Sequence, residues 1–227
     1  MKNGFVFNKV ADGEAEILMY DLIGMDFWTG EGITAKQFSK DLKALGDVKS
    51  IHVKINSPGG DYFDGVAIAN ELKDHPATVK ATVMSLAASV ASVILMSADE
   101  IVMQENAQIM IHKAWSFAMG NGNDFAKVAD TLNKLDDGLV LTYQSRTKQP
   151  AAKIEEWMSA ETWFSAKDAV ELGFADSIIA AKEKVANKFA LLKTYRHTPA
   201  DLAEPPAEDP AIEIMQRRLA LLRQAVA

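Results

Sequence analysis

The chain has 227 residues, 48% of them hydrophobic, with a formal net charge of −7 and no cysteine. This length and composition predict one sizeable core, or one domain followed by a tail. The acidic balance argues against electrostatic nucleic-acid binding, and the lack of cysteine excludes disulfides, zinc–thiolate sites and a cysteine nucleophile. With no long apolar stretch for a signal or membrane anchor, we expect a soluble, cytoplasmic protein.

Strand and helix patterns alternate through the first part of the chain. Residues 16–22 resemble a strand, and residues 34–45 have helical spacing that ends at Gly46. Residues 50–55 alternate apolar and polar side chains like a strand, which leads into the glycine-rich sequence at 57–60. The glycines at 59 and 60 therefore lie just beyond the end of a strand.

The same alternation continues through the middle of the chain. A helix is predicted at 62–73, a β-branched strand at 78–84 and a tightly packed helix of small residues at 87–98. Two short strands follow at 101–103 and 108–112. Strands separated by helices predict an α/β fold with a largely parallel sheet and crossover helices.

The longest helical pattern, at residues 123–147, precedes two shorter helices and a last strand near 174–179. We expect a domain at 1–180, followed at 181–227 by a linker and a C-terminal helical tail. The tail has a narrow apolar stripe suited either to a partner helix or to folding back onto its own domain: Ile212, Met215, Leu219, Leu222 and Val226.

Three short motifs supply the parts of an acyl-transfer site. Residues 56–60 (Asn-Ser-Pro-Gly-Gly) offer unhindered backbone amides, Ser89 follows two alanines near a helix start, and His112 ends an apolar strand. A serine hydroxyl is a weak nucleophile until a base takes its proton, and the resulting oxyanion needs hydrogen-bond donors. The motifs therefore indicate an oxyanion hole, a nucleophile and a base.

Each side chain also fits a structural role. Ser89 has the strand–turn–helix setting of a nucleophile elbow, but a serine at a helix start is usually an N-cap. His112 is the one histidine of four that ends an apolar strand, yet a lone histidine at a strand end is more often structural than catalytic. Neither residue alone decides the function.

The order of the motifs closely resembles the ClpP family of serine peptidases, and the resemblance spans roughly residues 16–179. It implies a ClpP/crotonase-like fold in which Ser89 is the nucleophile and His112 the base. The amides of Gly59 and Val90 are implied as the oxyanion hole. No cofactor is implied, and the sequence has no ligand spacing for a metal.

The third catalytic member departs from the family pattern. Glu161 precedes Trp163-Phe164-Ser165-Ala166 where the family has its acid. A glutamate can orient an imidazole, although its extra methylene requires a different backbone placement. Asp168 is the alternative acid, Asp176 matches a family aspartate outside the triad, and a helix-capping or solvated role for Glu161 stays open.

Within the family the chain is most similar to phage head maturation proteases, judged by Glu161-Thr-Trp-Phe164, the sequence Tyr143-x-x-Arg146-Thr147 and the tail. That similarity implies cleavage of scaffold or capsid proteins inside an assembling prohead. The helix at 123–147 corresponds to the handle by which rings interlock, which implies a homo-oligomer of one ring or two. A housekeeping proteolytic subunit that docks onto an ATPase unfoldase is the alternative.

Three other functions compete with this interpretation. A crotonase-fold acyl-CoA enzyme also builds an oxyanion hole from glycine amides, without a Ser–His pair. A Ser–Lys signal-peptide peptidase is disfavoured because we see no anchor. A ring-forming scaffold without activity would result if Glu161 failed to orient His112.

Overall fold

The computed structural model describes residues 5–11, 13–25, 32–180 and 195–199. The chain divides into two compact units, Met1–Asn187 and Lys188–Ala227, and the helices and strands of the described residues lie in the first. The predicted C-terminal helix and nearly all of the linker fall outside the described residues. The domain boundary at 180 stays a prediction.

The elements follow one another in the alternating order that the sequence predicts. They are β1 (Phe5–Ala11), β2 (Glu14–Met19), α1 (Ala35–Ala44), β3 (Ser50–Ser57), α2 (Tyr62–Lys73), β4 (Thr78–Ala88), α3 (Val90–Leu95), β5 (Glu100–Gln104), β6 (Gln108–Ile111), α4 (Gly122–Thr147), α5 (Ala151–Ser159), β7 (Thr162–Ser165), α6 (Ala166–Leu172) and β8 (Ser177–Ile179).

These strands form one sheet in the order β1-β2-β3-β4-β5-β8, with β6 pairing both β4 and β7. The β1–β2 and β6–β7 pairs are antiparallel, whereas the other pairs are parallel. The predicted α/β class with a largely parallel sheet is therefore confirmed. Burial follows the strand period, since Ile51, Val53 and Ile55 of β3 are buried while His52 and Lys54 are partly exposed.

The central strand β4 pairs with two different strands along its length. Its first half pairs with β5, and its last three residues pair with β6, where Ala87 lies opposite Ile109 and Ala88 opposite Met110. The prediction of a helix from residue 87 was therefore wrong at its start, because this pairing keeps both alanines in the strand. Helix α3 begins only at Val90.

Two strands were not predicted from the sequence. β1 is an antiparallel edge strand with mostly exposed side chains, so its hydrophobic pattern is weak. β7 has only four residues and lies between two helices. β7 depends on pairing with β6, a strand distant along the chain, which local patterns do not report. β1 pairs with the next strand, β2, and was missed because few of its side chains are buried.

Candidate active site

Ser89 connects β4 to α3 in a strained turn. Its backbone has φ 52° and ψ −130°, a conformation that side-chain-bearing residues rarely adopt, and its own amide donates to the Met110 carbonyl at 2.9 Å. A non-glycine residue held in such a conformation is typical of functional sites, because the surrounding structure must maintain the strain. Ser89 is part-buried, while Val90 beside it is buried.

His112 follows β6 and reaches Ser89 directly. The distance from its Nε2 to Ser89 Oγ is 2.8 Å, a hydrogen bond of good length. Because β4 and β6 are parallel neighbours, the two residues leave the sheet at the same edge, where α/β folds usually place their ligand sites. The structure thus brings together the two side chains that the sequence proposes as nucleophile and base.

Burial lowers the pKa of His112 from the ordinary 6.5 to about 4, while the Glu161 carboxylate acts in the opposite direction. Desolvation disfavours the charged imidazolium, and a nearby negative charge favours it. The neutral form of His112 therefore predominates at neutral pH, which is the form that accepts a proton.

Glu161 is close enough to His112 for its carboxylate to raise the pKa of that histidine. In the antiparallel β6–β7 pair Ile111 lies opposite Thr162, and His112 and Glu161 are the residues next to that last pair. Glu161 is buried, with 8% of its surface exposed, and its backbone has a positive φ of 51°. Glu161, whose side chain is one methylene longer than that of an aspartate, thus has an unusual backbone conformation just before β7.

The alternative acids have other partners. Asp168 is in the first turn of α6, where its carboxylate accepts from the amide and hydroxyl of Ser165 in a capping box. Asp176 accepts from the Ile101 amide and pairs with Arg146. Both aspartates therefore have structural partners that account for their positions.

The glycine-rich loop after β3 passes close to the serine. A Cβ atom built on Gly59 would lie 2.7 Å from the Cβ of Ser89 and 3.2 Å from the amide nitrogen of Val90. Gly59 has φ 93°, and its carbonyl accepts from the Ile23 amide at 2.9 Å. Only glycine permits both this conformation and this approach.

The two amides that the resemblance implies as oxyanion donors differ in their present contacts. The Gly59 N–H donates to Ser57 Oγ at 3.2 Å, a long bond that it must share or release to bind an oxyanion. Val90 is the first residue of α3, and an amide in a first helical turn has no partner within its own helix.

Three further residues near the pair were not singled out from the sequence for such roles. Ser92 Oγ donates to the Ser89 carbonyl at 2.6 Å and also lies 2.8 Å from the buried hydroxyl of Tyr143. Asp136 accepts from the Ala114 amide at 2.8 Å, two residues beyond His112. The sequence holds no local signal for the contacts of Tyr143 and Asp136, because α4 is distant along the chain from Ser92 and Ala114.

The described residues contain no group of three or more metal-ligating side chains, and no helix among them is long and apolar enough to cross a membrane. The fold and the site have the form of a serine-type hydrolase, with a strand–turn–helix serine beside a histidine at the carboxyl edge of the parallel strands β4 and β6.

Comparison with known proteins agrees with that class. The Clp protease family model matches residues 31–182. ATP-dependent Clp protease proteolytic subunit 1 of Synechococcus sp. (strain CC9902) is 31% identical over 140 residues, which cover 61% of this chain and 71% of that protein. The corresponding subunit of Epifagus virginiana is 35% identical over 135 residues, covering 58% and 69%. That of Streptococcus salivarius is 32% identical over 143 residues, covering 61% and 73%.

The chain belongs to the Clp protease family and is a ClpP-type serine peptidase.

Proposed function

We propose that the chain hydrolyses peptide bonds as a serine endopeptidase in which Ser89 is the nucleophile, His112 the general base and Glu161 the orienting acid. The observation that carries the proposal is the 2.8 Å contact between His112 Nε2 and Ser89 Oγ at a strained strand–helix turn. The role of Glu161 is supported by its electrostatic effect on His112, whose pKa it raises.

The proposed reaction proceeds through an acyl-enzyme. Ser89 Oγ attacks the peptide carbonyl carbon while His112 Nε2 takes its proton, and the amides of Gly59 and Val90 stabilise the oxyanion. His112 then gives the proton to the leaving amine. His112 next deprotonates a water molecule, which attacks the carbonyl carbon of the acyl-enzyme ester. The resulting tetrahedral intermediate collapses, releases the carboxylic acid product, and Ser89 Oγ takes back the proton from His112.

Glu161 acts through the histidine in this scheme. Burial makes the imidazolium costly, and a carboxylate near His112 offsets part of that cost when the proton arrives. It also favours the tautomer that leaves Nε2 unprotonated and facing Ser89. Glu161 is therefore proposed as the third member in place of the usual aspartate.

A fluorophosphonate probe tests this assignment. We expect the wild-type protein to be labelled at Ser89 and to cleave casein, with both reactions lost in Ser89→Ala and in His112→Ala. A wild-type protein that ignores the probe but turns over an acyl-CoA thioester would favour the crotonase-type alternative. Intact folding of each variant, measured by circular dichroism, is the control.

We further propose that the peptidase works as a homo-oligomeric ring. The described surface has large apolar side chains along the segment after His112 and the first part of α4, with Phe117 at 90% and Met119 at 100% exposure. Exposed apolar surface of this kind favours association. The second half of α4 packs on the protein's own core through Leu139, Val140 and Tyr143 but exposes Leu141 at 66%. The proposed contact surface is therefore the apolar side of the first half of α4 together with Leu141. Native mass spectrometry gives the number of subunits.

For the biological role we propose head maturation in a phage prohead, cleaving scaffold or capsid proteins. The support is the sequence at 143–147, the sequence at 161–164 and the C-terminal tail. The second candidate is a proteolytic subunit that works with an ATPase unfoldase in the cytoplasm. It is favoured by the names of the relatives, which are ATP-dependent Clp protease subunits.

The two roles differ in their need for an unfoldase. A maturation protease is expected to cleave an assembled scaffold or capsid precursor without ATP. A housekeeping subunit is expected to degrade folded substrates only when a Clp ATPase and ATP are added. The chain has no Gly-x-x-x-x-Gly-Lys-Ser/Thr sequence, so it does not supply a Walker-type ATP site itself.

A further inference from the structure

A buried chain of hydroxyl groups connects helix α4 to the turn that holds Ser89. The hydroxyl of Tyr143 lies 2.8 Å from Ser92 Oγ, and Ser92 Oγ lies 2.6 Å from the Ser89 carbonyl oxygen. Ser92 has no measurable exposure and Tyr143 only 1%. Water therefore does not compete for these bonds, and each group depends on the others for its partner.

The direction of the chain follows from the number of hydrogens. A serine hydroxyl has one hydrogen, and a carbonyl oxygen only accepts, so Ser92 donates to Ser89. Tyr143 must then be the donor to Ser92 Oγ. Burial raises the pKa of Tyr143 above its ordinary value, so the phenol keeps its proton. Successive donors polarise one another, which strengthens the bond at the end of the chain.

That last bond acts on the peptide unit between Ser89 and Val90. The Ser89 carbonyl accepts from the Ser92 hydroxyl and also from the Ser92 amide at 2.9 Å. In a trans peptide the C=O and the following N–H point in opposite directions. Holding the Ser89 oxygen toward Ser92 therefore fixes the Val90 N–H in the opposite direction, away from Ser92, within the same peptide plane.

We propose that Tyr143 and Ser92 are positioning residues that lock the Ser89–Val90 peptide plane and so aim the Val90 amide at the oxyanion. This inference rests on the proposed function, in which Val90 supplies one of the two oxyanion donors. Neither side chain contacts the substrate. Their effect falls on the transition state, because the oxyanion develops only there.

The test removes each hydroxyl with little change in shape. In Tyr143→Phe the ring still packs against Phe174, and in Ser92→Ala the helix keeps a good helix former. We expect kcat on a peptide substrate to fall about tenfold in each variant with KM nearly unchanged. Affinity for a peptide boronate, whose adduct places an oxygen in the oxyanion hole, should fall by a similar factor. The double variant should lose no more than either single variant.

Ser97→Ala is the matched control. Ser97 Oγ donates to the carbonyl three residues earlier, as Ser92 Oγ does, but at the far end of α3. Its kcat should equal that of the wild type. Each rate is referred to the concentration of serine titrated by a fluorophosphonate, so loss of folded protein does not imitate loss of kcat.

The outcomes separate this inference from the proposed function. If the wild type is labelled and active, and Ser92→Ala keeps full kcat and boronate affinity, the positioning role is wrong while the peptidase assignment stands. Additive losses in the double variant would also overturn it. If Tyr143→Phe does not fold, the kcat and boronate affinity of Ser92→Ala, compared with those of Ser97→Ala, decide whether the positioning role holds. If the wild type itself is never labelled, the proposed function fails and the inference fails with it.

Discussion

The two sides of His112 are built differently. On the Ser89 side the backbone is held by parallel strands, by the glycine loop and by hydroxyl groups from α3 and α4. On the Glu161 side, the support comes from an antiparallel pair with the four-residue strand β7 and from a single buried carboxylate. In the proposed reaction, bond formation and charge stabilisation take place on the Ser89 side, and Glu161 orients the imidazole from the other.

The two sides also differ in the geometric precision that the proposed reaction requires. An oxyanion donor must reach a developing charge at hydrogen-bond distance, so the Ser89 side tolerates little movement. A carboxylate stabilises an imidazolium over a wider range of geometries, because electrostatic attraction falls off gradually with distance. A glutamate in place of an aspartate is therefore compatible with the Glu161 side.

Apart from loss of the nucleophile itself, the largest effect is expected from removing the Glu161 carboxylate. Glu161→Ala should lower kcat by roughly 10⁴-fold, because His112 loses its orienting charge, yet by less than Ser89→Ala. Steady-state peptide cleavage measures both. Equal losses of kcat in Glu161→Ala and Ser89→Ala would show that the carboxylate is as indispensable as the nucleophile, and would contradict the proposed difference between the two sides.

A smaller effect is expected from the glycine loop on the Ser89 side. Gly59→Ala should lower kcat by about 100-fold and the free energy of unfolding by about 1–3 kcal/mol, since the new Cβ meets Ser89 at 2.7 Å and the backbone has φ 93°. Gly122→Ala is the control, because a Cβ there has nothing within 4 Å. Normal activity in Gly59→Ala would refute the proposed tight approach.

The pH profile reports the balance between the two sides. Because the pKa of His112 is lowered to about 4, the acid limb of kcat/KM should lie near pH 4, below which activity falls tenfold per unit. In Glu161→Gln the limb should move to still lower pH, since Glu161 raises that pKa. A limb at 6.5 in the wild type, or an upward shift in the variant, would contradict this account.

The free energy of unfolding should also depend on the titration of His112. Between pH 6.5 and about 4 the unfolded chain binds a proton on this histidine that the folded chain does not. The contribution of His112 to the free energy of unfolding therefore decreases as pH falls through that window. Urea unfolding of the wild type and of His112→Ala, compared at both ends of the window, isolates it.

The smallest effect is expected from the alternative acid. Asp168→Ala should cost about 1 kcal/mol of stability through loss of the capping box on α6 and should leave kcat unchanged. Thermal unfolding and peptide cleavage measure the two quantities. A loss of kcat comparable with that of Glu161→Ala would transfer the proposed role to Asp168.

The agreement between sequence and structure is strongest where the pattern is local. The periodicity of β3, the long helical pattern of α4 and the break at Gly46 are visible in a short window, and the α/β class follows from the alternation of strands and helices. The start of α3 was misplaced because Ala87 and Ala88 have no strand propensity of their own. Their pairing with β6 overrides that preference.

The amino-acid sequence was enough to identify the chemical groups: a serine flanked by small residues, a histidine at a strand end, two adjacent glycines and a glutamate before an aromatic segment. How these groups meet depends on the folded chain. The 2.8 Å contact of Ser89 with His112 depends on β4 and β6 becoming neighbours. The position of Glu161 relative to His112 depends on the pairing of β7 with β6. Contacts between residues 23 to 51 positions apart, such as Ser89 with His112 or Ser92 with Tyr143, arise from packing of the whole chain, which no local pattern encodes.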